Sequence, residues 1–456
     1  VSVHRLLTRA LPILLITVVC SAYAVAADNA AGGPISYRDL PNGLHVTVAT
    51  DPLTDIAALD LALDISALDI DEDRAGIRQL VQQLLLDRLR TAVTEEPQLA
   101  GLSDAVKAGG MLAISCEDEY VGARASLPSN LLPVAMRTFG ELFFAHHEFT
   151  SQELANAKSK IIGNYERSLN NVGEDTYRLF RRAFWGKSAL ADDTSTTLAG
   201  IAATSPDDIA ACLKRLYVPS RAYLCIVSPS PAEQTAPLIA EVFGKYEAGA
   251  ETVAPRIVNL PAGSVVRVGS GKDMPRAALL IGVPLPPYGT RGFVAGQLAY
   301  MLLGGTQGRL IQDPKMQRGF GMWLPRNIYE QQPPFKAIAP TPGIMPFMGV
   351  YVAADPRYIQ DAHAQVLSHL EAIRKGDFTA DELQVAKDQL VNQYALACDR
   401  YAAHAAFLNL NALFGAEPAL NADFAGLVAS VSAADVTRVA QEYFAHHAVG
   451  VQMPTN

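Results

Sequence analysis

Apolar and polar residues follow one another in two rhythms along this chain. After an Asn42-Gly43 turn signal, LHVTVATD and then DIAALDLALDIS show the short period of strands. AGIRQLVQQLLLDRL, Ala75 to Leu89, has apolar residues at helical spacing and reads as an amphipathic helix. AYLCIVSP closes this first run, and VVRVGS, AALLIGVPL and FMGVYVAAD begin the pattern again as strands.

The repetition extends to particular residues. FTSQELANAKSKIIGNY, residues 149–165, and FTADELQVAKDQLVNQY, residues 378–394, share Phe, Thr, Glu, Leu, Ala, Lys and Tyr at matching places. Each opens with a T-x-x-E capping box, Thr150 to Glu153 and Thr379 to Glu382, and continues as a long helix. SPDDIAACLKRLYV from Ser205 resembles SAADVTRVAQEYFA from Ser432, and QLVQQLL at Gln79 echoes QLAYMLL at Gln297. Ordered repetition of this kind indicates an ancestral duplication. We expect an α+β protein of two homologous domains, each an antiparallel-rich sheet packed with helices.

Length and charge narrow the class. A chain of 456 residues, 50% hydrophobic and 18% charged, exceeds one ordinary core. A net charge of −9 without a basic tract speaks against nucleic acid as a partner. Residues 1–27 differ from the rest: Arg5 and Arg9 adjoin the apolar run LPILLITVVC, which gives way to SAYAVAA, the pattern of a cleaved secretory leader. The run is short for a membrane span, so an exported protein, in a bacterial periplasm and with no stable span after cleavage, is the expectation. The expected limits are 1–27 for the leader, 28–235 for the first domain, 236–262 for a Pro-rich, polar connection and 263–456 for the second domain. Without Cys20, the cysteines Cys116, Cys212, Cys225 and Cys398 show no C-x-x-C spacing. Cys212 and Cys225 are the nearest pair for a bridge, and buried thiols are the expected state.

The helix from Ala75 carries Gln79, Gln82 and Gln83 at the spacing Q-x-x-Q-Q. That is the spacing of H-x-x-E-H, in which two His hold zinc and the Glu activates its water. The order LPNGL, a strand pair, G-x-x-Q-x-x-Q-Q, F-x-x-x-E-L-x-x-A-K and a D-D-I helix ending in YVP resembles the insulinase/pitrilysin-type metallopeptidases. LLGGTQGRLIQD, AADPRYIQDA, FTADELQVAKDQL and VSAADVTRVAQEYF resemble that family's second domain. The resemblance covers nearly the whole chain after the leader. It is closest to the short bacterial and mitochondrial-processing-peptidase-like branch, whose two-domain subunits pair as a clamshell around a peptide.

On this resemblance the metal positions fall on Gln79 and Gln83 and the general base on Gln82. A neutral amide is a poor zinc donor beside imidazole or carboxylate, and it cannot accept a proton near neutral pH. The third ligand position falls on Tyr165. Glu166 is one place off, a rotation of about 100° around a helix. The resemblance therefore implies a chain without a zinc site or catalysis of its own, pairing with a homologous zinc-containing subunit. His146-His147, His446-His447, His363 and His369 read as surface or helix-end histidines and supply no replacement.

The same resemblance suggests where peptide would be gripped. Lys315 and Met322 fall at the positions of a substrate-holding Arg and Tyr, with Arg309 and Arg318 nearby. The loop GGTQG, with Gly304 and Gly305, matches a substrate-handling glycine loop, and a helix C-cap explains it at least as well. GGMLAISCEDEYVGARASL, from Gly109, is either an edge strand for extended peptide or a structural strand. Two functions follow as expectations: the non-catalytic subunit of an exported zinc peptidase, or a homodimeric peptide-binding or scaffold protein without hydrolysis.

Overall fold

The computed structural model describes residues 35–168, 171–191, 193–249, 256, 258–261, 265–269, 276–317, 335–340, 342–416 and 419–454. The expected leader, Arg318 and Met322 lie outside the described residues.

Strands β1 (Ile35–Asp39), β2 (His45–Thr50), β3 (Ile56–Leu63), β4 (Met111–Cys116), β5 (Val121–Pro128) and β6 (Ala222–Ser228) form a sheet in the order β1-β2-β6-β3-β5-β4. Only β2 and β6 run parallel; the other neighbours are antiparallel. Strands β7 (Val265–Gly269), β8 (Ala277–Pro284), β9 (Phe335–Ile338), β10 (Phe347–Ala354) and β11 (Ala448–Gln452) form a second sheet, β7-β11-β8-β10-β9, with β7 and β11 its parallel pair. With β1 set aside, the orders and directions are the same. The duplication read from helix sequences therefore holds in sheet topology, and both sheets are antiparallel-rich as expected.

The helices of ten or more residues are α1 (Ile77–Glu95), α2 (Leu132–Phe144), α3 (Ser151–Ser168), α4 (Val172–Trp185), α5 (Thr194–Ala203), α6 (Pro206–Leu216) and α7 (Ala232–Phe243) in the first half. The second half has α8 (Arg291–Gly304), α9 (Ile359–Arg374), α10 (Ala380–Cys398), α11 (Tyr401–Leu413) and α12 (Ala433–Tyr443). The capping boxes form at both repeats. Glu153 N donates to Thr150 Oγ1 at 3.2 Å and Glu382 N to Thr379 Oγ1 at 3.1 Å, while each Glu carboxylate accepts the Thr backbone N–H. Ser205 with Asp208 and Ser432 with Asp435 cap α6 and α12 the same way. Among the described residues no helix is long and apolar enough to cross a membrane.

Each half has its own core, and each lends one helix to the other. The helix that follows the first T-x-x-E helix, α4, lies on β11, β7 and β8 of the second sheet, where Phe180 and Phe184 pack with Leu280, Phe347 and Ala448. Glycines let it sit close: a Cβ on Gly450 would collide with the backbone of Phe180, and one on Gly282 with its ring. The equivalent helix of the second repeat, α11, lies on β3 and β6 of the first sheet, with Ala405 and Leu408 against Ala49, Ala58, Cys225 and Val227. Small residues on both surfaces permit that approach. At its centre the buried Asn409 donates Nδ2 to Asp60 Oδ1 at 2.7 Å and to the Tyr223 carbonyl at 3.1 Å, while Arg124 Nε reaches the same carboxylate at 2.6 Å.

The first half extends past β6. Helix α7 buries Ile239, Val242 and Phe243 in the first core, and Asn42 Nδ2 donates to the carbonyls of Phe243 and Tyr246 at 2.8 and 3.0 Å. Residue 236, where the connection was expected to start, therefore stands inside a packed helix. Further along, Arg256 pairs with Asp64 and Asp69 of the first half. Among the described residues Cys116, Cys212, Cys225 and Cys398 form no disulfide, and Cys212 and Cys225 are buried.

Candidate functional site at the glutamine helix

Helix α1 starts at Gly76, whose φ of +87° and contact with Ile201 of α5 leave no room for a side chain. Its apolar stripe Ile77, Leu80, Val81, Leu84, Leu85 and Leu89 enters the first core. Gln79, Gln82 and Gln83 fall on the flank of that stripe and are half-buried. Gln82 Nε2 donates to the carbonyl of Ile114 at 3.1 Å, on the edge strand β4. Gln83 Nε2 donates to Asp87 Oδ1 at 2.9 Å, and Lys160 of α3 reaches the same carboxylate at 2.8 Å. Gln79 borders a cavity of about 780 Å³ whose lining comes from the first half alone.

These donors do not fit zinc. Two of the amides already bond groups of their own subunit, and an amide offers the metal only a neutral oxygen. On α3 the stripe Leu154, Ala157 and Ile161 continues to Tyr165, partly buried against the first core, while Glu166 is exposed. Among the described residues no three His, Cys, Asp or Glu side chains converge as a metal site would require. What the arrangement offers is hydrogen bonding.

The β4–β5 turn beside this helix is held from two sides. Buried Arg78 donates to the carbonyls of Glu117, Asp118 at 3.1 Å and Tyr120 at 3.2 Å. Arg181 of α4 forks onto the Asp118 carboxylate at 2.8 and 2.9 Å. Glu119, 7% exposed, accepts the backbone N–H of Ile344 from the second half. Burial pushes its carboxyl up from 4.5 to about 7, with Asp118 adding to the rise and the Ile344 bond opposing it. The three consecutive acids of CEDEY carried the only sequence signal for this cluster, and periodicity alone did not reveal it.

The residues expected to grip peptide lie in the second half, apart from the glutamine helix. A Cβ on Gly304 would collide with Ala337 of β9, Gly305 N closes α8 by donating to Met301 O at 3.0 Å, and Gly308 N bonds Gly305 O at 2.7 Å. The loop is thus a close-packed helix end. Arg309 is held by both oxygens of Glu382, the capping carboxylate of α10, at 2.9 and 3.1 Å. Lys315 is exposed and its Nζ donates to Gln365 Oε1 at 3.3 Å. Beside it lies a cluster that sequence reasoning missed: the buried carboxylate of Asp313 accepts from His369 Nε2 at 2.7 Å and from Gln365 at 2.5 Å. A cavity of about 1240 Å³ lies at neither place.

Residues 203–390 match the family model described as the peptidase M16 inactive domain. No curated protein matches the chain. Among solved structures, a protease from Helicobacter pylori is similar over 93% of this chain and 100% of its own, at 14% identity and a TM-score of 0.76. The peptidase M16 inactive domain from Pseudomonas fluorescens is similar over 93% and 98%, at 14% identity and a TM-score of 0.78. A chain of complex III2 from Candida albicans is similar over 92% and 96%, at 14% identity and a TM-score of 0.70.

Proposed function

We propose that this chain, whose residues 203–390 match the peptidase M16 inactive domain, is a non-catalytic member of the insulinase-type family and the metal-free subunit of an exported zinc peptidase, paired with a homologous subunit that retains H-x-x-E-H. In this reading the partner's zinc would supply the activated water, and this chain would help to enclose and hold the peptide. The observation that carries the reading is the state of α1. At the positions equivalent to the base and one ligand, Gln82 and Gln83 are neutral and tied to Ile114 O and Asp87 within their own subunit. Loss of a general base alone lowers a rate by about 10²–10⁴, and the nucleophile is lost with the metal.

The test is to purify the native complex from its source, identify the co-purifying chain, and assay peptide cleavage with and without this subunit. A relative bearing the intact motif, and chelator-sensitive cleavage that needs both chains, is the expected result. Chelator-sensitive cleavage by this chain alone would overturn the reading. The fold shared with a chain of complex III2 favours a second reading, a homodimeric peptide-binding or scaffold protein without hydrolysis. Self-association with no active relative in the complex would select it.

A further inference from the structure

A cavity of about 1240 Å³ opens where the α3–α4 corner of the first half meets the second sheet. Helix α4 covers β11, β7 and β8, and the strip formed by β10 and β9 continues past it. The sheet register pairs Leu280 with Tyr351 and Tyr351 with Lys336, so the three side chains stand in a row on one face. Ile338 shares that face, and Leu280 places it on the side of Phe180 in α4. Tyr177 of α4 and Tyr300 of α8 complete an aromatic lining, and Arg167 stands at the end of α3.

The charge of this cleft is opposite to that of the chain. In a molecule of net charge −9, its lining among the described residues holds two cations and no carboxylate. Both are exposed, and among the described residues neither meets an acid: Arg167 bonds the Asn164 amide oxygen, and no ion pair involves Lys336. Most of the arginines nearby are engaged, Arg178 with Asp175 and Arg181 with Asp118. Two unpaired cations around an aromatic and aliphatic floor suit a ligand that is anionic and also apolar. Two cations are too few to bind a phosphate polymer through counterion release, which needs several contacts.

We propose that this cleft binds an acidic peptide segment, with its carboxylates at Lys336 and Arg167 and its apolar side chains over Leu280 and Ile338 between the tyrosine rings. Tyr suits such a surface because it gives large contact area at low conformational cost and keeps a polar tip for the peptide backbone. The proposal goes beyond the role of a metal-free subunit, since it places a binding site on this chain alone and gives the sign of its ligand's charge.

The test is fluorescence anisotropy on the chain without any partner, using a labelled decapeptide of alternating Glu and Leu and its counterpart of alternating Lys and Leu. The acidic peptide is expected to bind about ten-fold more tightly, more weakly as salt rises. Lys336→Glu combined with Arg167→Glu should abolish or reverse that preference, and Tyr351→Ala should weaken binding about ten-fold with the preference intact. Lys336 and Arg167 are exposed, so an unchanged melting temperature checks that the fold survives. Equal binding of the two peptides, a preference untouched by the charge reversal, or full displacement by inorganic tripolyphosphate at equal concentration would each overturn the proposal. None of these results bears on whether the native complex contains a zinc-bearing partner, so the two readings fail separately.

Discussion

At Glu119 a carboxyl sits with 7% of its surface exposed, flanked by Asp118 and Asp64, with Arg256 and the Ile344 N–H as its favourable contacts. Its folded value of about 7 exceeds the unfolded 4.5, so the fold binds this proton more tightly than the unfolded chain does. The resulting stability is fully present below pH 4.5, declines as pH rises and is gone above about 7; it is worth at most about 3 kcal/mol. Glu119→Gln should therefore flatten the pH dependence of the denaturant midpoint across that window and stabilise the protein at pH 8. An unchanged slope would show that Glu119 does not titrate there. The capping carboxylates Asp208 and Asp435, held low by the backbone N–H groups they accept, act at lower pH, while His147, His363, His404 and His447, held below 6.5 by burial, titrate with the opposite sign and are common to both proteins compared. The glutamines allow a second prediction at this scale. Gln79→His, Gln82→Glu and Gln83→His together should not yield zinc-dependent cleavage, because the family resemblance puts Tyr165 at the third ligand position and Glu166, one place on, is exposed. Recovered activity with bound zinc would show that the long-helix alignment is wrong. The amides were legible in the sequence. Their partners, Ile114 O and Asp87, were not, because a hydrogen bond across elements leaves no periodic trace.

Among the elements, the two exchanged helices matter most. Asn409 of α11 is buried beside Asp60, and Asn409→Ala would leave that carboxylate with Arg124 as its remaining side-chain donor. A loss of about 2–3 kcal/mol, read from chemical denaturation, is expected. Gly450→Val would drive a side chain into the backbone of α4 at Phe180, and it should cost more than about 3 kcal/mol or prevent folding. The helices just before them, α3 and α10, were readable from capping boxes and 3.6-residue spacing, whereas α4, capped by Asn171, and α11, without a side-chain cap, were not. Which sheet each covers was not, since amphipathicity says that a face is buried and never against what. Strands β1 and β9 escaped for a different reason. ISYRD is exposed at four of its five positions, and FKAI has only four residues, too few to establish an alternation.

For the whole molecule, duplication was the most legible property, because it rests on ordered motifs and on two sheets of one topology. A chain written twice need not fold as two independent units. Residues 35–249 alone would lack α11 and bare Ala49, Ala58 and Val227 on one sheet face. That fragment should melt without cooperativity and bind a hydrophobic dye, while co-expression with residues 250–454 should restore a single sharp transition. A sharp transition from the fragment alone would show that the lent helix is dispensable.

The exchange of α4 for α11 also bears on ancestry. Each helix occupies the same place in its repeat and crosses to the sister sheet, which is the arrangement of a domain-swapped homodimer whose protomers have become one polypeptide. A half-length ancestor with this layout would have been stable only as a pair. Fusion of two such copies would replace a concentration-dependent encounter with a tethered one, and would leave each copy free to change its inward-facing residues independently.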